Sequence, residues 1–303
     1  MTALGFDRCF MRGSDEQFNS LRRCSDNCIS NIKEKVKLNF IDKFFGRTKT
    51  EKAALICNYK CVRNLKLNNC KYNGRWIFMF ILGFTEISSS ICALIKFIMN
   101  VRYFKKVNRR LLRYKRMRIE YFLHHMAMSL AFLSSFLFHL HETILTRNLD
   151  YFTAVFSIVM NAAVTTQRNI LIAFGHKIGD LHLPLIFATI FYSYHLYRMT
   201  NVEFNYIYNM TVCGILIFII QVNYFVTVLY YRNKTIKRKV TILTNLSLAS
   251  ALFELSDFPP LFYLLDSHFL WHVGLLLSIK PFYKFTFLEA KLAHKMSKAT
   301  KNK

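Results

Sequence analysis

Proline and acidic residues are scarce in this chain: 4 Pro in 303 residues, and 17 Asp+Glu against 42 Lys+Arg. No internal repeat or low-complexity domain appears, which sets aside repeat architectures and tracts of biased composition. The opening residues, MTALGFDRCFMRG, contain no apolar core of about 7–15 residues, so no signal peptide is read there. The expectation is that the first span inserts with its N-terminus translocated, or that the start of the chain is incomplete. One pair of histidines, His268 and His272, stands at H-x-x-x-H without the glutamate of the metalloprotease signature, which argues against that protease class.

Apolar residues are abundant. They make up 53% of the chain, with 30 Phe and 16 Tyr. Blocks long enough to cross a bilayer, about 20 mostly apolar residues each, recur at 76–100, 120–140, 151–172, 182–199, 207–231, 240–256 and 259–288. Helices satisfy their own backbone polar groups in lipid. The expected class is therefore all-α: a polytopic seven-transmembrane helical bundle. The organisation expected is a cysteine-rich domain over 1–75, the helical domain over 76–290 and a basic tail over 291–303.

The net charge of +25 raises nucleic acid as a partner, and its distribution argues against one. Lys and Arg number nine in loop 101–119, one in 140–150, two in 168–181, one in 198–206, five in 232–240, none in 256–260 and six in 284–303. This alternation follows the positive-inside rule, giving an N-terminus that is outside or lumenal and a cytosolic C-terminus. The basic loops are read as topology signals and contacts to anionic lipid.

Six of the eight cysteines, Cys9, Cys24, Cys28, Cys57, Cys61 and Cys70, lie in residues 1–75. An even set in a small, poorly hydrophobic domain suggests disulfides in an oxidising compartment, which agrees with a lumenal head. Zinc binding by Cys24/Cys28 and Cys57/Cys61 is the lesser alternative, and six cysteines leave the pairing open. Cys92 and Cys213 fall in spans and read as buried thiols.

Ionisable side chains in membrane segments need a reason. His268 and His272 are one helical turn apart, as are Ser135 and His139, so each pair shares a helix face. By depth, Ser135 and His139 near the end of the second span, Asp150 at the start of the third, and His268 and His272 in the seventh can occupy one lumenal layer. Three imidazoles with an open fourth position are the ligand set of a catalytic zinc site. Asp150 suits a general base, and Ser135 can orient water or an oxyanion. Against this stand three unrelated histidines on helix interfaces, Asp150 as a simple helix cap, and Ser135 as a nucleophile with His139 as its base. Glu86 reads foremost as a carboxyl bonded to a neighbouring helix, Arg168 as ordinary flanking charge, and His195 as structure. Pro259 and Pro260 force a turn before the last span. Glu254, Asp257, Asp266 and His195 are candidates to support the site from behind.

These residues resemble a known family. The stretch DFPPLFYLLDSHFLWH is similar to the last-helix signature of the Per-type, post-GPI-attachment-to-proteins family, where GPI is glycosylphosphatidylinositol. YNGRWIFMFILGFTEISSS, SSFLFH, LDYF and FNYIYNM fall in the family's order, and the cysteine-rich head resembles it too. The resemblance implies kinship with alkaline ceramidases and progestin/adipoQ-type receptors, seven spans, and a zinc site matching Ser135, His139, Asp150, His268 and His272. It implies removal of the sn-2 fatty acid from GPI anchors, a phospholipase A2 type hydrolysis, in the endoplasmic reticulum or Golgi membrane, with GPI-anchored proteins and their lipid as partners. The alternatives are a ceramidase-like amidase and a non-enzymatic seven-pass receptor or chaperone with a structural zinc.

Overall fold

The computed structural model describes residues 14–67, 70–72, 75–81, 83–111, 118–174 and 182–301. Cys9 and residues 112–117 of the most basic loop lie outside the described residues. Among the described residues the fold is helical apart from one small hairpin, two isolated bridges and the connecting turns. It divides into two compact units, the first of Met1–Ala93, Ser134–Asp150 and Leu252–His272, the second of Leu94–Leu133, Tyr151–Ala251 and Val273–Lys303.

The first unit opens with α1 (Ser14–Ile32), α2 (Phe40–Phe44) and α3 (Lys49–Asn64). Two of the starts carry a reciprocal capping box, in which side chain and backbone satisfy each other's free groups. The Asn39 side chain accepts from the Asp42 N–H at 2.7 Å while Asp42 accepts from the Asn39 N–H at 2.9 Å. Thr48 and Glu51 repeat the arrangement at α3. Cysteines four apart share one face of each helix, and α1 joins α3 through Cys24–Cys61 and Cys28–Cys57. Cys70 is also disulfide-bonded. With sequence separations of 37 and 29 residues, each cross-link removes about 3–4 kcal/mol of chain entropy from the unfolded state. These bridges replace the zinc alternative for those four cysteines. Leu21, Val62 and Ile77 fill the small core around them.

A hairpin of β1 (Lys71–Tyr72) and β2 (Arg75–Trp76) follows, pairing Lys71 with Trp76. The helix α4 (Ile87–Leu111) starts eleven residues later than the expected span, so Glu86 stands just before it. The helix α5 (Arg118–Leu140) ends beside His139, and α6 (Ile144–Phe174) begins well ahead of Asp150. Thr143 and Thr146 cap α6 reciprocally, at 2.9 and 3.3 Å. Asp150 therefore lies in the second turn and is not the cap.

The second unit is packed by residues repeating every four positions. Val155, Val159 and Ala163 of α6 meet Val212, Leu216, Ile220 and Tyr224 of α8 (Tyr206–Tyr230), with Ile236 and Val240 of α9 (Lys234–Ser256). The helix α7 (Leu183–Tyr197) ends in a π-turn at Arg198–Val202. Arg168 is only 3% exposed. Its Nε lies 3.1 Å from Glu289, and its Nη2 donates to Thr227 at 2.6 Å. That corrects its reading as flanking charge: Glu289 lies within α10 (Ser267–Lys301) and pairs it in the core. Four of the described helices are long and apolar enough to cross a membrane: Ile87–Arg109, Arg118–Leu140, Ile144–Leu171 and Tyr206–Tyr230.

Candidate metal centre

The last helix begins at Ser267, not at Pro260. Two prolines remove backbone donors, and Asp257, Phe262 and Tyr263 have φ of 41°, 55° and 60°, so residues 257–266 cannot be helical. The segment is instead closed by the Leu261–Leu265 bridge and by the Met79 N–H donating to the Tyr263 carbonyl at 3.0 Å. Asp257 accepts from Trp76 Nε1 at 2.9 Å and pairs with Lys71, which ties the turn to the hairpin. Asp266 caps the new helix, accepting from the Phe269 N–H at 2.8 Å. His268 and His272 thus stand in the first two turns of α10.

His139 meets them from the end of α5. The three Nε2 atoms lie 3.4 Å (His139–His268), 3.1 Å (His139–His272) and 3.0 Å (His268–His272) apart. The rings of His139 and His272 are buried, and that of His268 is partly open. On the far side of two rings stand carboxylates. Glu86 Oε2 is 2.7 Å from His139 Nδ1, and Glu254 Oε2 is 2.8 Å from His268 Nδ1. A neutral imidazole has one N–H. Each carboxylate draws that proton to Nδ1, which leaves the Nε2 lone pairs of His139 and His268 turned toward each other. Two acceptors at that distance repel unless a cation lies between them. The residues fit a metal: nitrogens about 2.0–2.1 Å from a tetrahedral zinc stand about 3.3 Å from one another. The carboxylate–histidine pairing is the outer support typical of such ligands. Among the described residues, His139, His268 and His272 form the grouping able to hold a metal ion.

The backbone holds this geometry as firmly as the side chains. The Thr85 and Glu86 N–H groups donate to the carbonyls of Leu140 and His139, at 3.2 and 2.9 Å. Thr85 Oγ1 in turn accepts from Arg47 at 3.2 Å and from the Glu142 N–H at 3.3 Å. Arg47 is paired with Asp42 at 3.3 Å, and His141 stands 3.5 Å from the same carboxylate. Burial pushes the Asp42 carboxyl up. The Lys52 hydrogen bond, the Asn39 N–H and the charges of Lys52 and Arg47 outweigh it and hold the group below its usual value. The head domain therefore grips the peptide that presents Glu86.

The expected site residues separate under this geometry. Ser135 is buried one turn before His139 on α5. Asp150 is half-buried in the same unit. Glu254 stands behind His268 as a supporting group, whereas Asp257 and Asp266 fix the turn and the helix start. His195 is buried in the second unit with its ring on Tyr208, centroids 5.4 Å apart. Glu86 is the residue that the sequence reading assigned to a helix contact. Its signal was present, a carboxylate in an apolar run, but nothing in the sequence showed that its partner was His139.

The Per1-like family model matches residues 20–290. The chain belongs to the Per1-like family. It is 29% identical over 212 residues to "Post-GPI attachment to proteins factor 3" of Drosophila melanogaster, covering 67% of this chain and 62% of that one. It is 26% identical over 217 residues to the human "GPI-specific phospholipase A2-like PGAP3", covering 67% and 63%. "Protein PER1 homolog" of Schizosaccharomyces pombe matches at 26% over 302 residues, covering 92% and 86%. The chain thus spans just under two thirds of the fly and human relatives. No solved structure matches.

Proposed function

We propose that this Per1-like protein is a zinc-dependent hydrolase that removes the sn-2 fatty acid from GPI anchors. The observation that carries the reading is the convergence of three Nε2 atoms, with Glu86 and Glu254 holding two of the rings from behind. The names of the fly and human relatives, taken with family membership, support the GPI pathway as the setting. His139, His268 and His272 would hold the metal. Bound zinc lowers the pKa of a coordinated water to about 7 and polarises a carbonyl. Glu86 and Glu254 fix the tautomer and aim of His139 and His268. Ser135 orients the water or the developing oxyanion, and Asp150 is the general base. The reaction balances simply: a water oxygen bonds to the ester carbon, the acyl C–O bond breaks, and the proton taken by Asp150 passes to the departing lyso-lipid oxygen.

The same proposal places seven spans along α4–α10, with the N-terminus lumenal and the C-terminus cytosolic, in the endoplasmic reticulum or Golgi membrane. Residues 1–75 form the head, 76–290 the hydrolase domain and 291–303 the tail. Four of the seven helices meet the length and hydropathy of a span, which fits a multi-pass membrane protein. Lipid analysis of GPI-anchored proteins from cells lacking this chain tests the reading. Retained unsaturated sn-2 chains, lost again on re-expression, are expected; unchanged sn-2 content would sink it.

A further inference from the structure

We propose that residues 33–45 form a foot that beds the first unit on the lipid leaflet it faces, with the rings of Phe40 and Phe44 inserted among the acyl chains and the lysines at the phosphate level. The helix α2 at its centre is inside out for water. Of its two polar residues, Lys43 is exposed and Asp42 is buried against Arg47 and Lys52, while Phe40, Ile41 and Phe44 are 81%, 47% and 69% exposed. The capping box and the ion pairs fix Asp42 inward, and so fix the three apolar side chains outward. Phe40 and Phe44 stack at 6.3 Å between centroids, giving one broad apolar surface.

Two observations identify lipid as what covers it. The first is continuity with a candidate span. Phe44 and Phe45 line an open groove of about 490 Å³ together with Ile144 and Leu145, and Lys43, Glu51, Thr143 and Asn148 supply its polar positions. Those two residues open α6, at the head of the span Ile144–Leu171, and are 66% and 53% exposed. Exposed apolar residues at the head of a candidate span thus share this groove with Phe44 of α2. The second is charge. Lys33, Lys35, Lys37, Lys43 and Lys49 are exposed and flank the aromatic residues in the sequence, with Glu51 and Glu34, the latter 3.5 Å from Lys49, as the exposed acids among them. Aromatic and aliphatic side chains ringed by lysines are the chemistry of an interfacial segment. The rings bury at the headgroup boundary, the lysine stems lie along it, and the ammonium groups meet the headgroup phosphates. A second copy of the chain suits the surface less well, because a symmetric contact would bring the same lysines face to face.

The consequence reaches the site. Asp42 and Phe45 both contact His141, two residues beyond His139, with the Phe45 and His141 rings 5.5 Å apart. The leaflet would then stand level with the connection that carries His139, and an ester within it would be presented at that depth. The inference rests on the membrane-spanning reading of α6 and is independent of the hydrolase reading.

Tryptophan scanning in nanodiscs with brominated acyl chains tests it. Phe40→Trp and Phe44→Trp are compared with the parent, which carries Trp76 and Trp271. Phe218→Trp, on a 68% exposed position of the span Tyr206–Tyr230, is the control. The expected result is roughly a twofold or greater loss of the added emission at positions 40 and 44, as for rings within about 5–10 Å of the acyl boundary. The loss should be greater with phosphatidylserine present and smaller in a Lys33→Glu, Lys35→Glu, Lys37→Glu variant. Quenching at 218 without quenching at 40 and 44 overturns the foot and leaves the spans standing. Quenching at none of the three overturns both. Rings at 40 and 44 that resist brominated lipid and aqueous iodide alike, in a cross-linkable dimer, assign the surface to a second copy.

Discussion

In the second unit Arg168, Glu289, Tyr121 and Thr227 close on one another, and the buried cation is matched by a buried carboxylate. In the first unit the carboxylates of Glu86 and Glu254 take the outer nitrogens of two histidines, so that three inner nitrogens face each other. Both clusters bury charge at a cost. One is balanced within the chain, and its consequence is stability. The other leaves three ring nitrogens facing one another, the arrangement on which the metal site is proposed. Buried polar residues alone do not mark a site; what marks it is which atoms the surrounding carboxylates leave over.

His272→Ala should break the first cluster most severely. It should abolish hydrolysis and weaken metal retention by more than the ~10–100-fold expected of an outer carboxylate, measured by activity and by metal analysis. Arg168→Met attacks the second cluster and leaves Glu289 buried without its partner. About 3–5 kcal/mol of stability should be lost, seen as a lower thermal midpoint, with bound metal unchanged. Adding Glu289→Leu should recover much of it. If Arg168→Met released the metal instead, the two clusters would not be separable. Glu86→Gln keeps shape and removes charge; a chelator titration should show ~10–100-fold weaker binding with little change in folding.

Gly274→Ala sharpens the comparison by straining the packing of α9 on α10 without touching either cluster. A Cβ there falls 2.1 Å from Ser250 Oγ and 3.0 Å from its Cβ. About 1–3 kcal/mol should be lost, and Ser250→Gly should restore most of it. The smallest effect concerns pH. The folded Asp42 carboxyl sits below its unfolded value near 3.8, so its stabilisation is full above that value and is lost as pH falls through the folded one. Asp42→Asn should flatten the acid side of the thermal stability profile.

The three converging histidines were legible because the i, i+4 spacing of His268 and His272 survives translation into helix geometry, and because His139 could be set at the same depth on another span. Helix boundaries were less legible. The apolar run from Trp76 predicts a span beginning there, yet the Met79, Thr85 and Glu86 N–H groups donate to the carbonyls of Tyr263, Leu140 and His139. An apolar composition does not reveal such non-local partners. The last helix was read from Pro260, yet two successive αL residues at Phe262 and Tyr263 delay it to Ser267. The disulfide ladder had a visible basis in the paired i, i+4 cysteines, but its pairing depended on the antiparallel packing of α1 on α3. Arg168 looked like flanking charge because its partner lies 121 residues away, on another helix.

Three imidazoles with carboxylates behind two of them make the metal site proposed for this chain. Elemental analysis of the purified, folded chain tests it most directly. About one zinc per chain is predicted, lost in His139→Ala with the disulfides intact. A folded, active protein without bound metal, or a His139→Ala variant that keeps its full complement, would contradict it.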